Sequence, residues 1–451
     1  MADKIKKFDV IVIGAGSGLD IASFAHKRGH TVAVIEEGPM GGTCLNRGCI
    51  PSKMVIHSAD IAETIKNSQK FGIMSRIEKI DFASIVQRVS DYVDKDAVGI
   101  EESIRATSGM TLYKTRGKFV DKKIIEVDSE KITAEKIFIV GGTRPFIPPI
   151  KGVDTIPYLT STEALRLIEQ PDHMVIIGGG FIAAELAHFY GALGTDVTML
   201  IREDRLLGNE DGEIADWFTK EFAKKYIVRL KTEASEFSLN GKNINIKLKD
   251  SEESIIADQV LIATGRTPNT DILNVAATDV EMNERGYIKV NDKLETNIPG
   301  IWALGDIVGV LPLKHTANHE AVFAMRNAFL DQNKSVDYHG IAHAVFSSPQ
   351  VAGVGKTEEQ LKKENTPYRV GKYEYKDTGM GAALQENGLV KILAGEDGTI
   401  LGCHIIGPDA SILIHEVVVA MKASGKVSAI TDSVHVHPAL SEVVQRAFYR
   451  I

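Results

Sequence analysis

The chain has 451 residues, of which 44% are hydrophobic and 25% charged, so it is a globular protein with more than one core. Its net charge of −8 provides no basic surface for nucleic acid, and no apolar run reaches the roughly 18 residues of a membrane span. Three cysteines exclude a disulfide scaffold, and because Val10–Ile13 is too short for the core of an export signal, we expect a cytoplasmic enzyme.

The first predicted elements are a strand, a glycine turn and a helix. Phe8–Ile13 is a continuous apolar run, as in a parallel strand that is buried on both faces. Gly14, Gly16 and Gly18 follow, and a helical stretch begins after them. Glycines in such a turn allow a pyrophosphate to approach closely, and the N-terminus of the helix supplies N–H donors for it. The segment therefore predicts a dinucleotide site.

The next predicted strand, Thr31–Ile35, ends at Glu36. An acidic residue about 20 residues after the first glycine can bond a ribose hydroxyl of the dinucleotide. Leu19 stands where the usual fingerprint has its third glycine. We therefore expect the helix and the strand to pack less closely there.

The most specific motif is the pair Cys44 and Cys49. In a regular helix their Cα atoms would lie about 8–9 Å apart, whereas a disulfide needs about 4.4–6.8 Å. We expect the start of the helix to be distorted, which Gly48 and Pro51 permit. A strained disulfide at a helix N-terminus, where thiol pKa values are lowered, is typical of a redox-active pair. No metal is expected, because a metal site would need two more ligands and the remaining Cys403 is far away in sequence.

A second strand–glycine–helix unit repeats the first. Met174–Ile177 is apolar, Gly178 and Gly180 lie in the turn, and Asp196–Ile201 is its second strand. The segments 137–145 and 260–268 are also alike, because each is an apolar strand that ends in a Gly-Xaa-Xaa-Pro turn. We interpret this as an internal duplication of a nucleotide-binding module.

The end of the second unit predicts its nucleotide. A site for NAD would carry an acidic residue at the strand end, where Ile201 stands. Arg202 and Arg205 could instead pair with the 2′-phosphate of NADPH, although Glu203 and Asp204 add opposing negative charge. This balance favours NADPH over NADH.

The rest of the chain changes pattern. The alternating, charged stretch 226–256 predicts an antiparallel hairpin, and predicted strands near 344–354, 368–375, 389–393 and 400–406 precede two helical stretches. The predicted fold is therefore α/β, with two Rossmann-like dinucleotide-binding domains and a C-terminal α+β domain.

Several segments together resemble one family. The cysteine segment Gly41–Lys53, Ala303–Asp306, Phe346–Val354 and His437–Glu442 resemble the FAD-dependent pyridine nucleotide–disulfide oxidoreductases, and the likeness covers essentially the whole chain. It implies an enzyme that passes electrons between NAD(P)H, FAD, a Cys44–Cys49 disulfide and a thiol or disulfide substrate. It also implies a homodimer, whose domains would be residues 1–150 for FAD (completed by 272–338), 151–271 for NAD(P)H and 339–451 for dimerisation.

The resemblance implies roles for single residues. Cys44 would exchange with the substrate sulfur, and Cys49 would face the flavin as a charge-transfer thiolate. Lys53 would lie near the flavin. His437 would be the general acid/base, oriented by Glu442 and acting across the dimer. Histidine suits this role because it exchanges a proton near neutral pH, and a carboxylate fixes its ring.

The other implied cofactor residues form two sets. Those expected at FAD are Gly14, Gly16, Gly18, Glu36, Thr43 and Asp306. Those expected at the nicotinamide nucleotide are Gly178, Gly180, Phe181, Arg202 and Arg205. Glu185 is expected to pair with Lys53 near the flavin, and Gly265 is expected to bind a cofactor.

The substrate is open between two members of the family. Asn46–Lys53 is most like dihydrolipoyl dehydrogenase, whereas Gly180–Glu185, Leu313–Glu320 and Arg202 are more like mycothione reductase. We expect a dihydrolipoyl dehydrogenase-like enzyme, with an NADPH-dependent mycothione or glutathione reductase as the alternative. A redox-sensing flavoprotein without turnover is disfavoured, because both cysteines and His437 are present.

Overall fold

The computed structural model describes residues 5–451 and divides the chain into two compact units. The first unit contains the chain up to Ser52, Gln87–Phe146 and Gly265–Asp337. The second contains Lys53–Val86, Ile147–Thr264 and Tyr338–Ile451. The division into three domains at the predicted boundaries stays a prediction.

Strands and helices alternate through most of both units. The strands are β1 (Lys6–Ile13), β2 (Val32–Ile35), β3 (Met110–Tyr113), β4 (Lys118–Asp121), β5 (Ile124–Val127), β6 (Glu130–Ile139), β7 (Thr143–Pro145), β8 (His173–Ile177), β9 (Asp196–Leu200), β10 (Ile227–Arg229), β11 (Ala234–Asn240), β12 (Asn243–Leu248), β13 (Ser254–Ala257), β14 (Gln259–Ile262), β15 (Arg266–Pro268), β16 (Ile301–Ala303), β17 (Ala342–Val345), β18 (Val351–Gly355), β19 (Arg369–Glu374), β20 (Leu389–Ala394) and β21 (Ile400–Ile406). The α-helices are α1 (Gly18–His26), α2 (Gly42–Arg47), α3 (Cys49–Asn67), α4 (Phe82–Ala106), α5 (Ser161–Ala164), α6 (Phe181–Ala192), α7 (Gly212–Phe222), α8 (Lys314–Leu330), α9 (Glu358–Lys363), α10 (Gly379–Leu384), α11 (Ala410–Ala423), α12 (Ser428–Thr431) and α13 (Glu442–Phe448).

The first unit is built on a seven-stranded sheet. Its strand order is β3-β2-β1-β6-β5-β4, with β16 also paired to β6. β1, β2, β3, β6 and β16 pair in parallel, and the last four residues of β1 are buried because layers cover both faces. The short strands β7 and β15 pair antiparallel in this unit.

The second unit contains three sheets. The order β10-β9-β8-β14 is parallel throughout, β11-β12-β13 is antiparallel, and β17-β18-β21-β20-β19 is antiparallel. The core of the last sheet includes Tyr375, Val417 and Phe448, the latter two from α11 and α13. The predicted fold class is confirmed.

One predicted element differs from the structure. The hairpin predicted over 226–256 is a three-stranded antiparallel sheet that begins only at Ala234. Ile227–Arg229 instead extends the parallel sheet beside β9. Three residues are too few to show a periodicity, so the charged hairpin pattern that follows hid the short parallel strand.

In the part of the chain that the structure describes, no helix is both long and apolar enough to cross a membrane.

Candidate active site

The first glycine turn, Gly14–Gly18, follows β1 and begins α1. Gly14 has φ +103°, and a Cβ there would lie 2.3 Å from the carbonyl oxygen of Val140. A Cβ on Gly42, at the start of α2, would lie 2.8 Å from Cα of Gly16. The turn therefore brings the bare backbone of the first strand–helix connection against the start of the cysteine-bearing helix. Such a backbone cradle before a helix N-terminus suits a pyrophosphate.

Gly18, and not the missing third glycine, brings α1 close to β1. A Cβ on Gly18 would lie 2.7 Å from Cγ1 of Val12. Leu19 packs at the edge of the neighbouring core. The expectation of looser packing at Leu19 is therefore wrong, because the close contact is made one residue earlier.

Glu36 lies directly after β2. Its Oε2 accepts a hydrogen bond from the N–H of Ala15 at 2.9 Å, and its Oε1 accepts one from the N–H of Gly38 at 2.8 Å. These bonds hold the carboxylate beside the glycine turn, at the carboxyl end of the parallel strands. Ligands of open α/β sheets bind at this edge.

The two cysteines lie on either side of a break between helices. α2 ends before Gly48, which has φ −150° and ψ −120°, and α3 begins at Cys49. A Cβ on Gly48 would lie 2.9 Å from the carbonyl oxygen of Thr43. The predicted distortion is thus at Gly48, whereas Pro51 lies in the first turn of α3, where proline is tolerated.

Both cysteines are present as thiols, and their side chains are hydrogen-bonded to each other. This hydrogen bond is the main cause of a raised pKa at Cys44, burial adds to it, and the charge of Lys314 opposes it. The prediction that the helix N-terminus lowers the thiol pKa is wrong for Cys44. When one sulfur of such a pair is ionised, the other keeps its proton as the hydrogen-bond donor.

Two residues near the cysteines were missed by the sequence analysis. Nδ2 of Asn46 donates to the carbonyl oxygens of Met40 at 2.8 Å and Gly42 at 2.9 Å, which fastens the loop before α2. Arg266 is the other, and its signal was its position directly after Gly265, a glycine with φ +141°.

Arg266 is held by Thr143. Its Nε donates to Oγ1 of Thr143 at 2.6 Å and its Nη2 donates to the carbonyl oxygen of Thr143 at 2.7 Å. Oγ1 of Thr143 in turn donates to Oδ2 of Asp306 at 3.1 Å. Burial lowers the pKa of Arg266, and the charges of Asp306 and Cys49 oppose this. The guanidinium therefore places positive charge near Cys49 and Asp306.

In the second unit, Lys53 and Glu185 form an ion pair. Nζ of Lys53 lies 2.8 Å from both carboxylate oxygens of Glu185, a residue that is 3% exposed. The same ammonium lies 4.6 Å from the centre of the Phe346 ring, and the N–H of Phe346 donates to Glu185 at 3.0 Å. Phe346, which directly follows β17, therefore contacts both members of this ion pair.

The second glycine turn, Gly178–Gly180, follows β8 and begins α6. Gly178 has φ +127°, and a Cβ there would lie 2.4 Å from the carbonyl oxygen of Ala263. A Cβ on Gly180 would meet no atom within 4 Å. Phe181, the first residue of α6, is 44% exposed. Within the second unit, the N-terminus of α6 is therefore accessible.

The charged residues after β9 are paired with each other. Nη2 of Arg202 donates to Oε1 of Glu203 at 2.7 Å, and both side chains are largely exposed. Nε of Arg205 lies 3.3 Å from Oδ1 of Asp204, and its Nη1 lies 3.2 Å from Oδ1 of Asp216. Each arginine therefore has an acidic partner in this structure.

His437 and Glu442 are brought together. Nδ1 of His437 lies 3.1 Å from Oε1 of Glu442. The other carboxylate oxygen, Oε2, accepts a hydrogen bond from the N–H of Ala439 at 3.2 Å. The bond with His437 is the main cause of a lowered pKa at Glu442. The histidine side chain is 76% exposed. By contrast, His435 pairs with Glu416 at 2.6 Å and is only 9% exposed, so it points inward.

The predicted site residues are divided between the units. The first unit holds Gly14, Gly16, Gly18, Glu36, Thr43, Cys44, Cys49, Gly265 and Asp306. The second holds Lys53, Gly178, Gly180, Phe181, Glu185, Arg202, Arg205, His437 and Glu442. Among the described residues, no group of three or more His, Cys, Asp or Glu side chains could hold a metal ion.

Comparison with known proteins gives matches over nearly the whole chain. Residues 8–321 match the family model of pyridine nucleotide-disulphide oxidoreductases, and residues 341–448 match the dimerisation domain of the same family. Mycothione reductase of Mycobacterium tuberculosis is 35% identical over 98% of this chain and 99% of its own. Dihydrolipoyl dehydrogenase of Bacillus subtilis is 34% identical over 97% of this chain and 95% of its own.

Solved structures agree with these matches. A Cu(II) complex of the HOCl-induced flavoprotein disulfide reductase RclA from Escherichia coli superposes with a TM-score of 0.89. It is 26% identical, and the match covers 99% of each chain.

Proposed function

Because the chain belongs to the pyridine nucleotide–disulphide oxidoreductase family, whose members depend on FAD and NAD(P)H, we propose that its own electron path runs through Cys44 and Cys49 to a thiol or disulfide substrate. The observation that carries this proposal is the contact of the two thiols across the break at Gly48. A pair that hydrogen-bonds when reduced can close into a disulfide with little backbone movement. The chain is a disulfide oxidoreductase of the dihydrolipoyl dehydrogenase, mycothione reductase and RclA type.

The first glycine turn fits FAD. Gly14 and Gly16 leave room for a pyrophosphate, and Glu36 presents carboxylate oxygens for a ribose. Asp306, joined through Thr143 to Arg266, would hold the ribityl chain, and Thr43 would lie beside it at the start of α2. When bound, FAD supplies the electron exchange between the nicotinamide nucleotide and the disulfide. The second glycine turn, with Gly178, Gly180 and the exposed Phe181, would bind the nicotinamide nucleotide.

The thiol chemistry can be written for the reduced pair. The Cys44 thiolate attacks one sulfur of the substrate disulfide, the substrate S–S bond breaks, and a mixed disulfide forms. Cys49 then attacks the Cys44 sulfur, closes the Cys44–Cys49 bond and releases the second substrate thiolate. The substrate is reduced by two electrons and the pair is oxidised by two. His437 would take the proton released by Cys44 and pass it to the first departing thiolate, and the proton released by Cys49 would go to the second.

The exposure of His437 supports its action in a homodimer. Its imidazole is 76% exposed while Glu442 is 9% exposed, so the ring is oriented from inside its own unit but faces outward. Val434 and Val436 beside it are 99% and 75% exposed. Exposed apolar residues around an oriented ring are typical of an interface. The match to a dimerisation domain at 341–448 supports the same assembly.

For the nucleotide we propose NADPH. The ion pair of Arg202 with Glu203 is exposed, and exposed pairs contribute only about 0–1 kcal/mol. A 2′-phosphate could therefore compete with Glu203 for Arg202. For the substrate, the sequence Asn46–Lys53 supports a lipoyl group, whereas Arg202 and Leu313–Glu320 support a low-molecular-weight disulfide such as mycothione or glutathione disulfide.

The experiment is an assay of the purified protein with NADH and NADPH against lipoamide, glutathione disulfide and mycothione disulfide. We expect a yellow protein that reduces one of these disulfides. Cys44→Ser and Cys49→Ser should both abolish turnover while the flavin is retained, and only Cys49→Ser should also remove the long-wavelength absorption of the two-electron-reduced protein. Turnover of either serine variant at the rate of the parent would refute the path through this pair.

His437→Gln tests the proton donor separately. Reduction of the flavin by the nicotinamide nucleotide should continue, while disulfide turnover should fall by roughly 10²–10⁴-fold, the range for a general acid/base. His435→Gln is the matched control, because that ring is buried against Glu416. A larger loss in His435→Gln than in His437→Gln would contradict the assignment.

A further inference from the structure

In the first unit, the starts of α1, α2 and α8 are joined by contacts close in sequence to Cys44. The N–H of Gly41, before α2, donates to the carbonyl oxygen of Ala15 at 2.9 Å, and Gly42 packs against Gly16. Ser17, which precedes α1, is only 4% exposed. Lys314 is the first residue of α8, a helix of 17 residues. The start of the cysteine helix therefore lies against the loop that carries Ser17.

The ammonium of Lys314 is held at this meeting point. Its Nζ donates to Oγ of Ser17 at 2.9 Å. The Ser17 hydroxyl donates onward to Oδ1 of Asn318 at 2.9 Å, one turn further along α8. Because Ser17 is buried and its proton is committed to Asn318, its oxygen is oriented to receive the lysine. The half-buried Lys314 is thus tethered, unlike an ordinary surface lysine.

We propose that Lys314 is a positioning residue for disulfide exchange, whose tethered charge stabilises the thiolate of Cys44. The proposal rests on the function proposed above, in which Cys44 attacks the substrate. Within the first unit, the titratable groups with the largest effect on Cys44 are Cys49 from α3 and Lys314 from α8. The Cys49 side chain and burial both favour the protonated thiol, and the charge of Lys314 and the backbone N–H of Cys49 oppose them. A nearby cation is the usual device by which proteins raise the thiolate fraction of a cysteine.

A positive charge at this point has a defined use in the exchange. Cys44 is a nucleophile only as its thiolate, and its hydrogen bond with Cys49 keeps a proton on it. The charge of Lys314 shifts the shared proton away from Cys44 when substrate is to be attacked. It also stabilises Cys44 as the leaving group if electrons flow in the opposite direction, because a lower pKa makes a better leaving thiolate.

The test measures the Cys44 thiolate directly. In a Cys49→Ser background the remaining thiols are Cys44 and the fully buried Cys403, so iodoacetamide reports Cys44. The alkylation rate is followed against pH with the flavin bound. Adding Lys314→Gln removes the charge but keeps a hydrogen-bond donor for Ser17. This change should raise the midpoint of the pH–alkylation curve by about one pH unit, and below that midpoint alkylation should be about tenfold slower. Lys314→Arg should restore the parental midpoint.

Controls separate charge from structure. Lys289→Gln removes one charge from an exposed pair with Glu281 in the same unit and should leave the midpoint unchanged. If Lys314→Gln does not fold, raising the salt concentration in the Cys49→Ser protein should raise the midpoint, because salt screens the lysine. An unchanged midpoint in Lys314→Gln, an equal shift in Lys314→Arg or Lys289→Gln, or a midpoint insensitive to salt would each overturn the proposal. Failure of the two-cysteine protein to reduce any disulfide would refute the proposed function and leave this result standing.

Discussion

The two glycine turns begin in the same way and follow strands with different ends. Gly14 and Gly178 both have positive φ, and a Cβ on either would lie 2.3–2.4 Å from a carbonyl oxygen of the facing segment. Their N–H groups donate to Ile35 and Leu200, the last residues of the second strands, at 2.9 and 3.0 Å. After these strands, the first turn has Glu36 and the second has Ile201, which is fully buried. A glycine turn of this kind is typical of dinucleotide sites, and the residue at the strand end is the one expected to select between dinucleotides.

The turns also differ in what they contact. A Cβ on Gly16 would lie 3.9 Å from Cα of Gly42 in α2, whereas a Cβ on Gly180 would meet no atom within 4 Å. The first cofactor would thus be bound where the redox pair begins, and the second would have open access. This difference suits a permanently bound prosthetic group at the first turn and a nucleotide that binds and leaves at the second.

The largest expected effect comes from adding a methyl group to the first residue of each turn. Gly14→Ala forces a positive φ on alanine and drives Cβ into the Val140 carbonyl, so we expect a protein that folds poorly and purifies without flavin. Gly178→Ala makes the same clash with Ala263 but should retain the flavin and lose its reduction by NADPH. Flavin absorbance per chain and stopped-flow reduction measure the two outcomes. If Gly178→Ala loses the flavin and Gly14→Ala keeps it, the second turn binds FAD and the first binds the nicotinamide nucleotide.

The next effect concerns Glu36. Glu36→Ala removes the acceptor of the Ala15 and Gly38 N–H groups and of the ribose. Losing hydrogen bonds to a charged group costs about 1.5–3 kcal/mol, so FAD should bind roughly 10–100-fold more weakly. Calorimetric titration of the apoprotein with FAD gives this affinity. Glu37→Ala, which breaks only an exposed pair with Arg116, is the control and should bind FAD like the parent.

A change at Gly18 tests whether this residue provides the close packing of α1 on β1 that the third glycine of the fingerprint usually provides. Gly18→Ala would place Cβ 2.7 Å from Cγ1 of Val12, a stiff β-branched side chain on a buried strand. Such overpacking should destabilise the protein by about 1–3 kcal/mol, seen as a lower thermal midpoint. In the second unit, Ala183 lies five residues after Gly178, one position later than Gly18 lies after Gly14, and is fully buried. Leu19→Ala should lower the midpoint less than Gly18→Ala, and the reverse order would mean that Leu19 controls the packing.

The sequence predicted the elements whose signal is local. β1, β2, β8 and β9 were found because each is an apolar run beside glycines, and the structure differs by a residue or two at their ends. β10 was missed, because three residues beside a charged hairpin carry no periodicity.

Residues whose role depends on distant partners could not be predicted. Arg266 receives its role from Thr143, which is 123 residues away, and Lys314 receives its role from Ser17, which is 297 residues away. The raised pKa of Cys44 also escaped prediction, because it depends on a hydrogen bond between two sulfurs that exists only once the helix breaks at Gly48. Local motifs indicate where chemistry occurs, and tertiary contacts determine how its charges are balanced.

The smallest expected effect distinguishes the two nucleotides at the second strand end. Arg202→Ala should raise the Michaelis constant for NADPH by roughly tenfold, the loss of one charge-assisted contact, and leave NADH unchanged. Glu203→Gln should act in the opposite direction, because it releases Arg202 from its 2.7 Å partner and removes a charge that repels a 2′-phosphate. Steady-state kinetics with both nucleotides measure this pair of variants. The opposite result would be a higher Michaelis constant for NADH in Glu203→Gln and no change for either nucleotide in Arg202→Ala. In that case Glu203 binds the ribose at the second turn, as Glu36 is expected to do at the first, and the enzyme uses NADH.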